Sequence, residues 1–312
     1  MKVNNFLDNI RFIMPLVNGF VNEPLQESGY DIQSPYYGNT FFSRVIREIH
    51  FRSGLPFKCI WFNNANVTKK EILFLSEALI IPDYLDWLHK KNPDSKIIVF
   101  YTNKVNYDNN PNKLRRNWCS IWTCDKVDSE KYNLNLYDGV AYFKIYKVKK
   151  EEPVYDVFYI GKDKGRLDYL LSLEKQFNNL GLKTYINIVP ERRWFSKRNK
   201  RYGPIMPYKE VLENLGKSRA ILHLSQGAQY GITMRIMESL IHNIKLITDC
   251  SYLVNYDFYN ENNIFILGKD DFNRLSEFIN TPYKKVETKV LEHSYFEDML
   301  KYIVENMDEK SL

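Results

Sequence analysis

RAILHLSQGAQYGITMRIMESLIHNIKLITD, residues 219–249, is the stretch whose reading decides the fold. RAILHLS (219–225) is a short β-type run, and Gly227 and Gly231 punctuate the loop after it. GITMRIMESLIHN (231–243) then carries apolar residues at helical spacing, and KLITDC (245–250) returns to a β-type run. Strand, glycine loop, helix and strand within about 30 residues make a βαβ unit, which implies a parallel sheet. The first turn of such a helix points its free amides at the carboxyl ends of the strands, where ligands of open α/β sheets bind. Thr233 and Arg235 sit in that first turn, a hydroxyl and a bidentate cation suited to a phosphate, whereas Glu238 would repel one. A carboxylate one to two turns into the helix suits ribose hydroxyls instead.

Working outward, the same alternation fills the second half of the chain. VYDVFYIG (154–161) reads as a strand, KDKGRLDYLLSLEKQFNNLG as a loop and helix closed by Gly181, and KTYINIV as the next strand. YKEVLENLGKS (208–218) is a helix, NIFIL (263–267) a strand and DDFNRLSEFIN (270–280) a helix; LEHSYFEDMLKYIVENM closes the chain as an amphipathic helix. In the first half FKCIWFN (57–63), EILFLSEA (71–78), KIIVFYT (96–102) and SIWTC (120–124) read as strands, with PDYLDWLHKKN (82–92) a helix begun by Pro82. The charged connection YFKIYKVKKEEP (142–153) marks a domain boundary. The expectation is two α/β domains, 1–150 and 151–312, with the final helix free to pack back on the first. Two such halves facing each other would leave a cleft.

Bulk properties narrow the class. The 312 residues are enough for two cores, and 44% hydrophobic with 26% charged residues is an ordinary globular balance. No apolar run reaches the roughly 20 residues of a membrane span, and the first 20 residues lack the continuous apolar stretch of a signal peptide. A cytoplasmic protein is expected. The four cysteines form no CxxC pair, so buried free thiols are expected rather than a disulfide framework or zinc site. No histidine has a partner at metal spacing, no D-x-D occurs, and no metal or cofactor is expected. The net charge of +6 hints at anionic ligands.

A second motif, YIGKDKGRLDYLL (159–171), ends a strand with Gly161 and Gly165 permitting a tight turn. Lys162, Lys164 and Arg166 put three cations at one sheet edge. It is not a Walker A loop.

The run 219–249 resembles the donor-binding region of GT-B glycosyltransferases, in which a glycine-containing loop leads into a helix carrying a glutamate. Group-1 members carry two glutamates in this region; the second matches Glu238, while Tyr230 stands at the first. The variant resembles a bacterial polysaccharide or lipopolysaccharide transferase subgroup, and the resemblance covers about 155 to 280. It implies a GT-B fold of two Rossmann-like domains. It further implies a metal-independent transferase that moves a sugar from a nucleotide-sugar donor to a glycan or lipid-linked acceptor in cell-surface polysaccharide biosynthesis. Gly161, Lys162, Lys164, Gly165, Arg166, Gly231, Thr233 and Arg235 would then meet the donor diphosphate and Glu238 the ribose. Val189, Pro190 and Tyr208 would hold the base, although an ordinary strand exit and a core tyrosine explain these three as well.

A general base would come from the first domain, where Glu77 and Asp125 follow strands. Asp125 and Asp128 equally suit a helix cap and first-turn acid. The basic stretch ERRWFSKRNKRYG (191–203) reads as a solvated loop or as contact with an anionic membrane surface at the inner face of the cytoplasmic membrane. No nucleic-acid motif accompanies it, so no nucleic-acid partner is expected. A non-catalytic module binding a nucleotide sugar or glycan is the alternative.

Overall fold

The computed structural model describes residues 6–16, 22–78, 80–107, 109–191, 201–225, 232–291 and 294–307. It divides into two compact units, Met1–Asp138 with Met299–Leu312, and Gly139–Asp298. Each is an α/β unit built on one parallel sheet, so the chain holds two Rossmann-like units.

The first unit has six strands: β1 (Ile10–Ile13), β2 (Asp31–Gln33), β3 (Ile72–Ser76), β4 (Lys96–Tyr101), β5 (Cys119–Thr123) and β6 (Asn135–Leu136). They lie in the order β2-β1-β3-β4-β5-β6, all parallel. β3 and β4 read as nearly unbroken apolar runs and are buried almost throughout, as parallel strands covered on both faces must be. Among its helices, α1 (Asn22–Glu27) precedes β2 and α2 (Phe41–Arg52) follows it. α3 (Pro82–Lys91) joins β3 to β4, and α4 (Lys126–Tyr132) joins β5 to β6. Pro82 does occupy the first helical turn of α3.

FKCIWFN forms no strand. Lys58–Trp61 is a 3-10 turn entered through Phe57 in the left-handed region at φ 64°. The apolar run is short enough for a strand, but it has no alternation, and its side chains are split between core and surface: Phe62 is buried while Phe57 and Ile60 are exposed.

The second unit has five strands: β7 (Tyr155–Lys162), β8 (Thr184–Val189), β9 (Ser218–His223), β10 (Lys245–Thr248) and β11 (Ile264–Ile266). Their order is β11-β10-β9-β7-β8, again parallel. α5 (Leu167–Asn179) follows β7 and is closed by Gly181 at φ +75°. α6 (Tyr208–Gly216) precedes β9, and α7 (Met234–His242) joins β9 to β10. α8 (Leu275–Asn280) follows β11, with a 3-10 turn at Phe272–Arg274 where one longer helix was expected. α9 (Thr288–Leu291) is one short turn, and α10 (Phe296–Glu305) ends the described chain. Side chains alternate across the sheet. Val157, Tyr159, Ala220 and Leu222 belong to one core, Phe158 and Ile221 to the core on the opposite face.

Both sheets reverse direction of winding once, between β1 and β3 in the first unit and between β7 and β9 in the second. The carboxyl ends of the strands beside that reversal form the crevice where doubly wound sheets take ligands.

Candidate functional site

In the second unit the turn after β7 forms one wall of this crevice. The Arg166 amide donates to the Asp163 carbonyl at 2.8 Å, and the two residues between them, Lys164 and Gly165, both have positive φ, at 47° and 78°. Two consecutive left-handed residues are the signature of a type I′ turn. Arg166 then reaches across the reversal point, donating from Nη1 to the carbonyls of Leu224 at 2.8 Å and Ser225 at 2.5 Å, at the end of β9. Arg166 therefore fixes the crevice walls to each other, while Lys162 and Lys164 stay exposed. Although Lys164 is exposed as a residue, partial desolvation of its amine, and then the like charges of Arg166 and Lys162, lower it from its ordinary pKa. Gly161 lies within β7, with a Cβ-sized space filled by the Tyr159 hydroxyl at 2.9 Å; its use is close packing rather than the turn.

The opposite wall is the N-terminus of α7. Thr233 caps it with extended backbone at φ −110°, its hydroxyl makes no cap bond, and Thr233 Oγ1 is buried without a partner among the described residues. The first amides of a helix have no partner within it. An orphaned hydroxyl beside them marks a place for an acceptor such as a phosphate oxygen. Gly231 and Tyr230 lie outside the described residues, as does 192–200 of the basic stretch. Arg201, just past it, pairs with Glu174.

Arg235 and Glu238 occupy adjacent positions on the inner side of α7 and pair with each other. Glu238 is fully buried; Oε2 accepts from Arg235 Nη1 at 2.5 Å and Oε1 from the Tyr208 hydroxyl at 2.5 Å. Arg235 Nη2 also donates to the Ile160 carbonyl at 3.4 Å, which ties α7 to β7. The Tyr208 ring packs edge-on against Tyr146 at 4.4 Å. Tyr208 and Glu238, expected to hold base and ribose separately, are thus bonded partners in this structure. Burial and the Glu238 charge push the Tyr208 phenol far above its usual range, so it stays a donor. Tyr142, whose phenol is likewise raised by burial, hydrogen-bonds Tyr208 and meets His242 Nε2 at 2.6 Å. Arg235, Glu238, Tyr208, Tyr142 and His242 form one polar chain in which Glu238 and Tyr142 are buried and the other three half-buried, and the last two members were not singled out by sequence. Burial holds the His242 imidazole down at about 4.

At the far side of the crevice Val189 ends β8, where its carbonyl accepts from the Asp163 amide at 3.0 Å; Pro190 follows, half-buried. Asp249, after β10, accepts from the Ser225 amide at 2.7 Å and hydroxyl at 3.1 Å. His223, Asp249 and Cys250 bring one ligand-type atom each within 4.8 Å, a proximity that their spacing in sequence hides. His223 Nδ1 is engaged by Thr248 Oγ1 at 3.1 Å and faces Cys250 Sγ at 3.6 Å, and burial holds the imidazole down at about 4. Among the cysteines, Cys119 and Cys250 are buried but Cys59 is exposed, because it sits in the turn that was read as a strand.

In the first unit Glu77 follows β3 beside the reversal point and lines a cavity of about 740 Å³ together with Arg47, Tyr101 and Asn103. Its carboxylate is buried and accepts from Asn103 Nδ2 at 2.9 Å and more weakly from Thr102. Asp125 is instead the N-cap of α4: Oδ1 accepts the Asp128 amide at 3.0 Å, and Oδ2 faces Lys104 at 3.8 Å. Glu77 thus lines a cavity, and Asp125 caps a helix.

No family model matches the chain, and neither does any curated protein. Among solved structures it is similar to one of accessory secretory protein 1, 2 and 3 in Streptococcus pneumoniae, at 10% identity and a TM-score of 0.45. The likeness covers 86% of this chain and 57% of that one, so this chain spans little more than half the length of its neighbour. No helix among the described residues is long and apolar enough to cross a membrane.

Proposed function

We propose that the chain is a GT-B-type glycosyltransferase whose second unit binds a nucleotide-sugar donor through its diphosphate. Its role would be sugar transfer to a glycan or lipid-linked acceptor in cell-surface polysaccharide biosynthesis. The observation that carries this reading is the crevice at the reversal point of the second sheet. There the buried hydroxyl of Thr233 at a helix N-terminus, without a partner among the described residues, and two exposed lysines, Lys162 and Lys164, surround the carboxyl ends of β7 and β9. Cations, helix amides and a hydroxyl together stabilise the charge that grows on a departing nucleoside diphosphate. Arg166 and Arg235 act one step back, the first fixing the crevice walls, the second holding Glu238 and β7. Glu77, in its cavity, is the candidate general base of the first unit.

The test is a thermal-shift series with UDP, GDP, CDP and dTDP on the parent and on a Lys162→Ala, Lys164→Ala double variant. These lysines are exposed, so the variant keeps its fold. Stabilisation by one nucleotide, by about 2.7 kcal/mol at roughly 100 times its dissociation constant, and its loss in the variant, supports the reading. No shift with any nucleotide overturns it.

One observation favours a binding module without turnover: both first-unit acids are already engaged, Asp125 as a cap and Glu77 with Asn103. Donor hydrolysis or transfer that disappears in Glu77→Gln while nucleotide binding persists would decide for the enzyme.

A further inference from the structure

His223 closes β9 and Thr248 closes β10, and the parallel register sets the two residues side by side. Asp249 and Cys250 follow directly. One donor atom from each of His223, Asp249 and Cys250 lies within 4.8 Å of the others. Cys250 Sγ is common to the two closest contacts, 3.6 Å from His223 Nδ1 and 3.7 Å from Asp249 Oδ1. Neither is a strong hydrogen bond, because a thiol is a weak donor and a weak acceptor. Both distances suit a shared metal instead: bonds of about 2.0–2.3 Å at tetrahedral angles put neighbouring nitrogen, sulfur and oxygen ligands about 3.5 Å apart. Spacing along the chain gave no reason to expect such a group; strand register assembles it.

We propose that His223, Asp249 and Cys250 bind a zinc ion at the carboxyl ends of β9 and β10. The carboxylate is already oriented from outside the group, Oδ1 accepting from the Ser225 amide and Oδ2 from its hydroxyl, the kind of support that ligating carboxylates have. Asp249 has no ion-pair partner among the described residues, so its charge is left for a cation. His223 and Cys250 are almost fully buried, while half-buried Asp249 gives the ion a way in. On binding, Cys250 releases its thiol proton to solvent. Nδ1 gives up the Thr248 hydroxyl, which still accepts from the Cys250 amide at 3.2 Å. No fourth His, Cys, Asp or Glu joins the group among the described residues, so water completes the tetrahedron. Imidazole, thiolate and carboxylate together favour a borderline ion such as Zn²⁺ over Mg²⁺ or Ca²⁺, which take oxygen ligands. A thiol nucleophile fits less well, because the Asp249 oxygens are turned to Ser225 and do not orient His223 as a base. The ion cross-links the ends of two neighbouring strands, and the inference stands without the sugar-transfer reading.

Cobalt(II) is the probe, since it takes tetrahedral zinc sites and is coloured. The full chain, reduced and stripped with a chelator, is titrated with Co²⁺ and then with Zn²⁺. One equivalent of Co²⁺ should give the strong visible bands of a tetrahedral site and a thiolate charge-transfer band in the near ultraviolet. Zn²⁺ should abolish both, excess Mg²⁺ should not, and Zn²⁺ should raise the melting temperature. Cys250→Ser nearly keeps the size of the side chain; it should remove the charge-transfer band and weaken Zn²⁺ binding roughly tenfold or more. Asp249→Asn should weaken binding by a similar factor and keep the band. Cys59→Ser, at the exposed thiol, should change neither. A parent that gives no tetrahedral spectrum at one equivalent overturns the inference whatever the variants do. So does a charge-transfer band that persists in Cys250→Ser or vanishes in Cys59→Ser, which would place the ion at another thiol.

Discussion

Glu238 is fully buried on α7, with both of its carboxylate oxygens taken by other side chains. Its place on the inner face of α7 follows from helical spacing, but nothing in the sequence says that Tyr208, 30 positions earlier, and Arg235 will take both carboxylate oxygens. A buried charge is tolerated because it is doubly bonded, and removing one partner leaves it uncompensated. Tyr208→Phe is therefore expected to cost about 1–3 kcal/mol, and Arg235→Ala more, about 3–5 kcal/mol, both read from urea unfolding. Arg235→Ala confuses folding with binding; the exposed lysines make cleaner probes of the crevice. Buried His223 and half-buried His242 add a pH dependence whose sign is fixed by the direction of their shifts. His223 and His242 fall from 6.5 to about 4 through burial, so the unfolded chain binds their protons more readily. Their contribution is complete above pH 6.5 and lost as pH falls to about 4, by at most about 3 kcal/mol each. His242→Gln, which keeps a partner for Tyr142, should flatten the decline in melting temperature between those limits.

At the scale of elements, legibility followed burial pattern. β3, β4, β7 and β9 are dense apolar runs bounded by turn residues, and a strand covered on both faces has to look like that. FKCIWFN is just as dense, yet its residues divide between core and solvent after a left-handed Phe57, which composition cannot reveal. α2 escaped notice for the opposite reason, since its amphipathic pattern is sound but it buries Arg47 and leaves Phe41, Phe42 and Ile46 exposed. The Lys164–Gly165 turn was legible from its glycine, and its strictness can be measured. A Cβ on Gly165 would meet nothing within 4 Å, so Gly165→Ala isolates the cost of φ +78°. It should lose about 1–2 kcal/mol and, by shifting Lys164 and Arg166, weaken nucleotide-induced stabilisation. Unchanged stability would show that the turn relaxes freely and does not hold the crevice wall.

At the scale of the whole molecule, the two units differ in how the chain builds them. The second is one continuous segment, Gly139–Asp298, whereas the first is completed by Met299–Leu312 from the far end of the sequence. Met299, Leu300 and Ile303 on α10 are almost fully buried, the Tyr302 ring meets those of Trp122 and Tyr137, and Ser120 donates to the Met307 carbonyl. Each buried apolar side chain stabilises by roughly 1.5–3 kcal/mol, so a chain ending at Asp298 leaves the first unit short by several kcal/mol. The second unit keeps its sheet, its cores and the crevice. Calorimetry of the shortened chain should therefore show one transition moved strongly downward or absent and another unmoved, with nucleotide stabilisation retained on the unmoved one. A shift of both together would mean that the units fold as one cooperative body. The crevice of the second unit would then depend on residues far from it in sequence, and the lysine variants would have to be read against that shared stability.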